Sequence, residues 1–352
     1  MKPISLITFQ PGVSFALAAA LLFGASTPVA KILLGQVDPI LLAGLLYLGS
    51  GSGLAIWRWL RFRFQRGDSQ EASLQLSDLP WLAGAILAGG VVGPVLLMVG
   101  LALTPASSAS LLLNLEGVFT AVIAWFVFKE HFDRRIAVGM GAITAGGLLL
   151  SWAGRPELGV PWGAVAIVGA CLAWGIDNNL TRKVSAGDPV QIAGVKGFIA
   201  GAVNLLIALT AGAPLPGVLT VLTAAVMGFL GYGVSLVLFV LALRHLGTAR
   251  TGAYFSLAPF AGALISLLVL GDHLTVHFLV AAALMGVGVW LYLTERHEHE
   301  HQHQPLEHDH RHVHDEHHQH GHGEEPHSHP HSHPEMRHVH PHYPDLHHRH
   351  GH

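Results

Sequence analysis

Apolar runs long enough to cross a bilayer follow one another almost without interruption from Gly12 to Thr294. A transmembrane helix needs about 20 mostly apolar residues. Ten runs meet that requirement: Gly12 to Leu34, Pro39 to Leu60, Leu79 to Leu101, Ala106 to Phe128, Ile136 to Ala153, Trp162 to Thr181, Pro189 to Ala211, Val218 to Leu243, Ala249 to Leu270 and Val276 to Thr294. The connections are short, Arg61 to Asp78 being the longest polar stretch, so no soluble domain is inserted. Only 12% of residues are charged, about half the soluble average. The expected fold is an all-α integral membrane protein with ten transmembrane helices. A cleaved signal peptide is the alternative for the first run, but that segment has a copy within the chain.

Phe23-Gly24 matches Trp174-Gly175, and at the same offset Lys31 falls on Arg182. Asp38-Pro39 with Ala43-Gly44 matches Asp188-Pro189 with Ala193-Gly194. Leu115, Glu130 and His131 match Leu257, Asp272 and His273. The offsets of 151, 150 and 142 occur in one order and divide the spans into two sets of five. The implied domains are residues 1–153, a first five-span repeat, residues 154–294, a second, and residues 295–352, a polar tail.

Short-loop Lys and Arg mark the cytoplasmic side. They collect after span two (Arg58, Arg61, Arg63, Arg66), span four (Lys129, Arg134, Arg135), span six (Arg182, Lys183) and span eight (Arg244, Arg250). Loops one, three, seven and nine have none, apart from Lys31 near the first span's end. Both termini are therefore expected in the cytoplasm of a bacterial-type inner membrane. Five is odd, so the second repeat must be inverted relative to the first. Many secondary transporters are built this way, with the substrate site near the midplane.

The five-plus-five spans, the opening Phe23-Gly24-Ala25-Ser26 and the segment Ala109-Ser110-Leu111-Leu112-Leu113-Asn114-Leu115-Glu116-Gly117-Val118-Phe119-Thr120-Ala121 resemble the drug/metabolite transporter superfamily, EamA type. The resemblance covers Gly12 to Thr294 and implies a transporter of small solutes rather than an enzyme. The family's Leu-Glu-Pro motif stands here as Leu115-Glu116-Gly117 and, in its second copy, as Leu257-Ala258-Pro259. Its paired glutamates are thus reduced to one. The arginine frequent in the second span is Leu46, and its seventh-span counterpart is Lys196. A His-rich end on such a body resembles the nickel/cobalt-resistance branch.

Ionisable residues inside a span are costly and usually face the bundle interior. Glu116 lies twelve residues from Thr104 and thirteen from Lys129, at the bilayer centre, with Asn114 half a turn away. It is either an interhelical hydrogen-bonding group or an acid that exchanges protons or cations. Asp177 lies five residues before Arg182 and Lys196 seven after Pro189. That equal depth makes either a salt bridge or a substrate gate. Asn178 belongs with them on the expected transport pathway, and Asn179 and Asn204 add polar lining. His273 and His277 are read as interfacial. A single cysteine, Cys171, excludes an intramolecular disulfide.

The tail concentrates 23 of the 27 histidines. They fall in alternating runs: His297, His299, His301, His303; His308, His310, His312, His314; His317, His318, His320, His322; His327, His329, His331, His333; His338, His340, His342; and His347, His348, His350, His352. Few apolar residues separate them, so disorder is expected. Imidazole suits Zn, Cu, Ni and Co, and all 23 are expected metal ligands. No nucleic-acid binding is expected, since neither part has a dense Lys/Arg stripe, and no cofactor is required. The leading function is secondary active export of a divalent transition metal, nickel or cobalt before zinc or copper, with a metal-binding tail. The alternative is export of a metabolite, amino acid or drug by a protein whose tail only buffers metal. A desaturase-like metalloenzyme would need several His-x-x-x-His loops, and only His273 and His277 have that spacing.

Overall fold

The computed structural model describes residues 11–64, 74–128, 134–152, 160–184 and 187–293, and tail residues 298–303, 306–312, 327–333 and 336–341. Up to residue 293 the described residues are helical apart from short connections: α1 (Pro11–Leu33), α2 (Pro39–Phe64), α3 (Leu79–Ala85), α4 (Gly93–Leu103), α5 (Ala106–Leu112), α6 (Leu115–Phe128), α7 (Arg134–Trp152), α8 (Trp162–Val184), α9 (Pro189–Thr210), α10 (Val218–Gly228), α11 (Ser235–Phe255), α12 (Ala258–Leu270) and α13 (Val276–Leu293). Two π-helical turns join helices end to end, Ile86–Val92 between α3 and α4 and Phe229–Val234 between α10 and α11. Among the described residues seven helical stretches are long and apolar enough to cross a membrane: Gly12–Leu33, Pro39–Arg61, Leu76–Leu103, Ala106–Val127, Trp162–Val184, Pro189–Thr210 and Val218–Ala242. Helices α7, α12 and α13 occupy the positions of three further expected spans.

The Asp-Pro pairs act as helix starts. Asp38 Oδ1 accepts from the amides of Ile40 and Leu41 at 2.9 and 3.1 Å, and Asp188 Oδ1 from those of Val190 and Gln191 at 2.8 and 3.3 Å. Each carboxylate satisfies otherwise orphan amides, and the proline follows at the first helical position, where a missing N–H costs nothing.

Three expectations are corrected. The boundary between spans eight and nine does not exist as a loop, because α11 runs on through Arg244–Arg250 and breaks only at Ser256–Leu257. The first portion breaks between α4 and α5 at Pro105, which has no amide to donate. Residues 244–250 contain no proline, and their backbone stays in the helix. Span four is interrupted at Leu113–Asn114, splitting it into α5 and α6. In the tail, where no regular structure was expected, the backbone forms two antiparallel strand pairs, β1 (Glu298–His303) with β4 (Met336–Pro341) and β2 (Leu306–His312) with β3 (His327–His333). Alternating His-x-His has the two-residue period of a strand.

Helix α1 packs on α11 and α12, α8 on α4 and α6, α2 on α9, and α7 on α13. Small residues let these backbones approach closely. Gly51 lies against the backbone of Phe198 and Gly201 against that of Leu48, leaving no room for a Cβ. Ascending α2 meets descending α9, so the two helices are antiparallel. Helices α7 and α13 repeat the pattern, Gly146 meeting Met285 and Gly288 meeting Ile143. Gly24 of α1 abuts Ala258 at the start of α12, as Gly175 of α8 abuts Phe119 in α6.

The exterior is apolar: Trp59, Leu87, Phe126, Leu206 and Leu268 are all exposed. At one end of the bundle Arg58 pairs with Asp188 at 3.7 Å, Arg61 lies over the Trp57 ring and Lys183 over Trp81. At the other end Lys31 Nζ donates to the carbonyls of Leu101 and Thr104 at 2.6 and 2.9 Å, and Asp272 Oδ2 accepts from the Ser107 amide at 2.8 Å.

Candidate transport site

Successive helical residues point about 100° apart, from 3.6 residues per turn, so Asp177 and Asn178 of α8 face different neighbours. Asn178 faces α6. Its Nδ2 donates to Glu116 Oε1 at 2.8 Å and to Thr120 Oγ1 at 3.2 Å, and Thr120 donates to the Glu116 carbonyl at 2.8 Å. Glu116 is in the first turn of α6, where the helix dipole favours negative charge. The next residue along, Asn179, donates to the carbonyls of Thr120 and Gly175 at 3.1 and 2.8 Å.

Asp177 faces α9. Its Oδ1 lies 2.5 Å from Lys196 Nζ and accepts from Thr181 at 2.8 Å, while Lys196 also donates to the Thr181 hydroxyl at 3.0 Å. All three are buried. The salt bridge that equal depth allowed is formed, and it neutralises both charges locally. Asp177 also presses against Gly89 in the first π turn, where a Cβ would overlap its carboxylate.

Tyr47 and Trp174, which sequence reasoning missed as polar partners, and Asn204, read there as polar lining, hold that turn. Tyr47 Oη and Trp174 Nε1 both donate to the Gly89 carbonyl at 2.9 Å, and Asn204 Nδ2 donates to the Gly90 carbonyl at 3.0 Å. The available signal was a Tyr and a Trp within apolar runs, whose polar tips need partners inside an apolar body. Their rings join Phe23 and Tyr232: Phe23 meets Trp174 edge-on at 6.0 Å and Tyr232 at 5.8 Å, and Tyr47 lies 5.4 Å from Tyr232.

Glu116, Asn178, Asp177 and Lys196 are thus gathered around α8, whereas Asn114 is not among them. It sits in the break before α6, where its Nδ2 donates to the Leu111 carbonyl at 3.0 Å and lies 4.0 Å from Met285 Sδ of α13. Cys171 is buried against the Leu112 carbonyl. Among the described residues no group of three or more His, Cys, Asp or Glu is placed to hold a metal ion. Of the expected tail ligands, His299, His301, His303, His308, His310, His312, His327, His329, His331, His333, His338 and His340 lie in the four strands. His297, His314, His317, His318, His320, His322, His342, His347, His348, His350 and His352 lie outside the described residues.

Apolar helices with an apolar exterior around a buried polar cluster define a multi-pass membrane protein. The chain belongs to the EamA-like transporter family, whose model matches residues 10–152 and again 161–294. It is similar to an uncharacterized transporter of Methanothermobacter thermautotrophicus, 27% identical over 287 residues, 78% of this chain and 83% of that protein. A solved crystal structure shares the fold at a TM-score of 0.60 and 18% identity, over 80% of this chain and 94% of that one. The class is a transporter rather than an enzyme, handling a small solute in the bilayer.

Proposed function

We propose that this protein is a secondary active exporter of a divalent transition-metal cation, nickel or cobalt before zinc or copper, in a bacterial-type inner membrane. Ten spans form two inverted five-helix repeats, and both termini face the cytoplasm. The reciprocal contacts of α2 with α9 and of α7 with α13 support inversion, because equivalent helices meet antiparallel. The gathering of Arg58, Arg61 and Lys183 at one end supports the orientation.

The observation that carries the coupling assignment is the difference between the two interior acids. Asp177 is neutralised by Lys196, while Glu116 is held by the neutral amide of Asn178. A carboxylate with an amide partner is the one able to exchange a proton for a cation as the protein changes state. The chain contains no Gly-x-x-x-x-Gly-Lys-Ser/Thr motif, the phosphate-cradling loop of many ATP-driven pumps. The tail histidines supply a cytoplasmic metal-binding arm, since neutral imidazole is a ligand for all four metals.

The second reading is export of an organic metabolite, with the tail only buffering metal. The aromatic rings beside the ion pair favour it, as does the lack of a three-ligand metal group among the described body residues. A sensitivity panel over Ni, Co, Zn, Cu and Cd, in cells with and without the protein, separates the two. Protection against Ni or Co supports metal export, and identical sensitivity across the panel leaves the organic solute.

A further inference from the structure

We propose that Tyr47, Trp174 and Asn204 are positioning residues of the transport cycle: they clamp the Ile86–Val92 π turn as a fixed abutment behind Asp177, leaving the equivalent turn, Phe229–Val234, as the one that moves. The inference rests on the repeat reading above. A π turn interrupts the regular i→i−4 ladder, and a carbonyl freed from that ladder needs another donor or becomes a point of easy bending.

The two turns occupy equivalent positions, 143 residues apart. Their packing is reciprocal: Gly90 abuts Ala200, and Gly233 abuts Ser50. Their hydrogen bonding is not reciprocal. In the first turn Gly89 O accepts from both Tyr47 and Trp174, and Gly90 O accepts from Asn204. The repeat offsets put Gly197 in place of Tyr47, Phe23 in place of Trp174 and Leu54 in place of Asn204. None of these side chains has a donor. Among the described residues no side chain donates to a carbonyl of Phe229–Val234. The neighbouring polar contact of the second turn is Ser235, whose hydroxyl donates to the Ala19 carbonyl at 2.9 Å. It fastens a side chain to α1 and leaves the turn's own carbonyls alone. The ion pair has the same bias, for Ser26 and Leu46 stand where Asp177 and Lys196 would be repeated.

One turn is therefore tied to α2, α8 and α9 and backed by a salt bridge, and among the described residues its equivalent has no side-chain donor on its carbonyls. Inverted-repeat transporters rock one bundle against another, and the unclamped turn is the compliant joint for that motion.

Hydrogen–deuterium exchange on the full chain in nanodiscs tests this without knowledge of the solute. Amides of residues 86–92 should exchange at least about tenfold more slowly than those of 229–234, the scale set by one to two buried hydrogen bonds. The Tyr47→Phe/Trp174→Phe double variant should bring residues 86–92 towards the rate of 229–234, leaving 229–234 and total helicity unchanged. Faster or equal exchange at 86–92 in the wild type overturns the proposal. So does a folded double variant whose 86–92 amides remain as protected as before. If the double variant does not fold, the wild-type comparison decides alone. Loss of metal transport with the exchange contrast intact would count against the metal reading and not against this one.

Discussion

Asn178 reaches from α8 to α6 and gives Glu116 Oε1 a hydrogen bond of 2.8 Å, so the acid at the start of α6 is held by a neutral neighbour on the helix that also carries Asp177. Asn178→Leu removes that donor and leaves a half-buried acceptor unmet, which costs up to about 1–3 kcal/mol. A thermal-stability cycle with Glu116→Gln should return a coupling of about 0.5–3 kcal/mol. Strictly additive effects would mean that the contact carries no energy.

Asp177 and Lys196 behave as a unit. Lys196→Met strands a buried carboxylate and should destabilise the protein by about 3–5 kcal/mol. The double variant Asp177→Leu/Lys196→Met removes both charges and should recover most of that loss. Unfolding of detergent-solubilised protein measures both, and a double variant worse than the single would contradict the pairing account.

Helices α2 and α9 touch backbone to backbone at Gly51 and Phe198. Gly51→Leu forces a side chain into that contact and should exceed the usual overpacking cost of about 1–3 kcal/mol, because backbone cannot repack. Gly217→Leu, where a Cβ meets nothing, is the control. Equal yields of folded protein from the two variants would refute the close crossing.

Much of this arrangement was legible in the chain. Asp38-Pro39 and Asp188-Pro189 announced two helix starts, and equal depth announced the Asp177–Lys196 bridge. The helical break at Leu113–Asn114 was not legible, since Leu-Leu-Asn-Leu carries no proline or glycine to signal it. Nor was the clamp on Gly89: π turns have no sequence signature in an apolar run, and Tyr47 and Trp174 are far from residue 89 in the chain. The loop expected between Leu243 and Ala249 failed for the opposite reason: Arg244 and Arg250 suggested a membrane boundary, but charge alone does not interrupt a helical backbone, and α11 runs through both.

The tail should bind metal in proportion to its neutral imidazoles. Truncation after Arg296 should leave an inserted body, remove most high-capacity binding and lower resistance without abolishing it. With imidazole pKa about 6.5, binding should be strong at pH 7.5 and fall towards pH 5, as protons compete for the ligating nitrogens. Isothermal titration with Ni, Co, Zn and Cu at both pH values reads this. Absence of binding at pH 7.5 would remove the tail from the account.

Counter-transport in proteoliposomes tests the central claim most directly, with metal flux and lumenal pH followed together in wild type and Glu116→Gln. The account predicts movement of Ni or Co coupled to opposite proton movement in the wild type. In Glu116→Gln, which keeps the shape and hydrogen bonding of the side chain but cannot ionise, the protein inserts normally and both fluxes are lost. Full coupled transport by Glu116→Gln, or no flux of any of Ni, Co, Zn and Cu through the wild type, would contradict it.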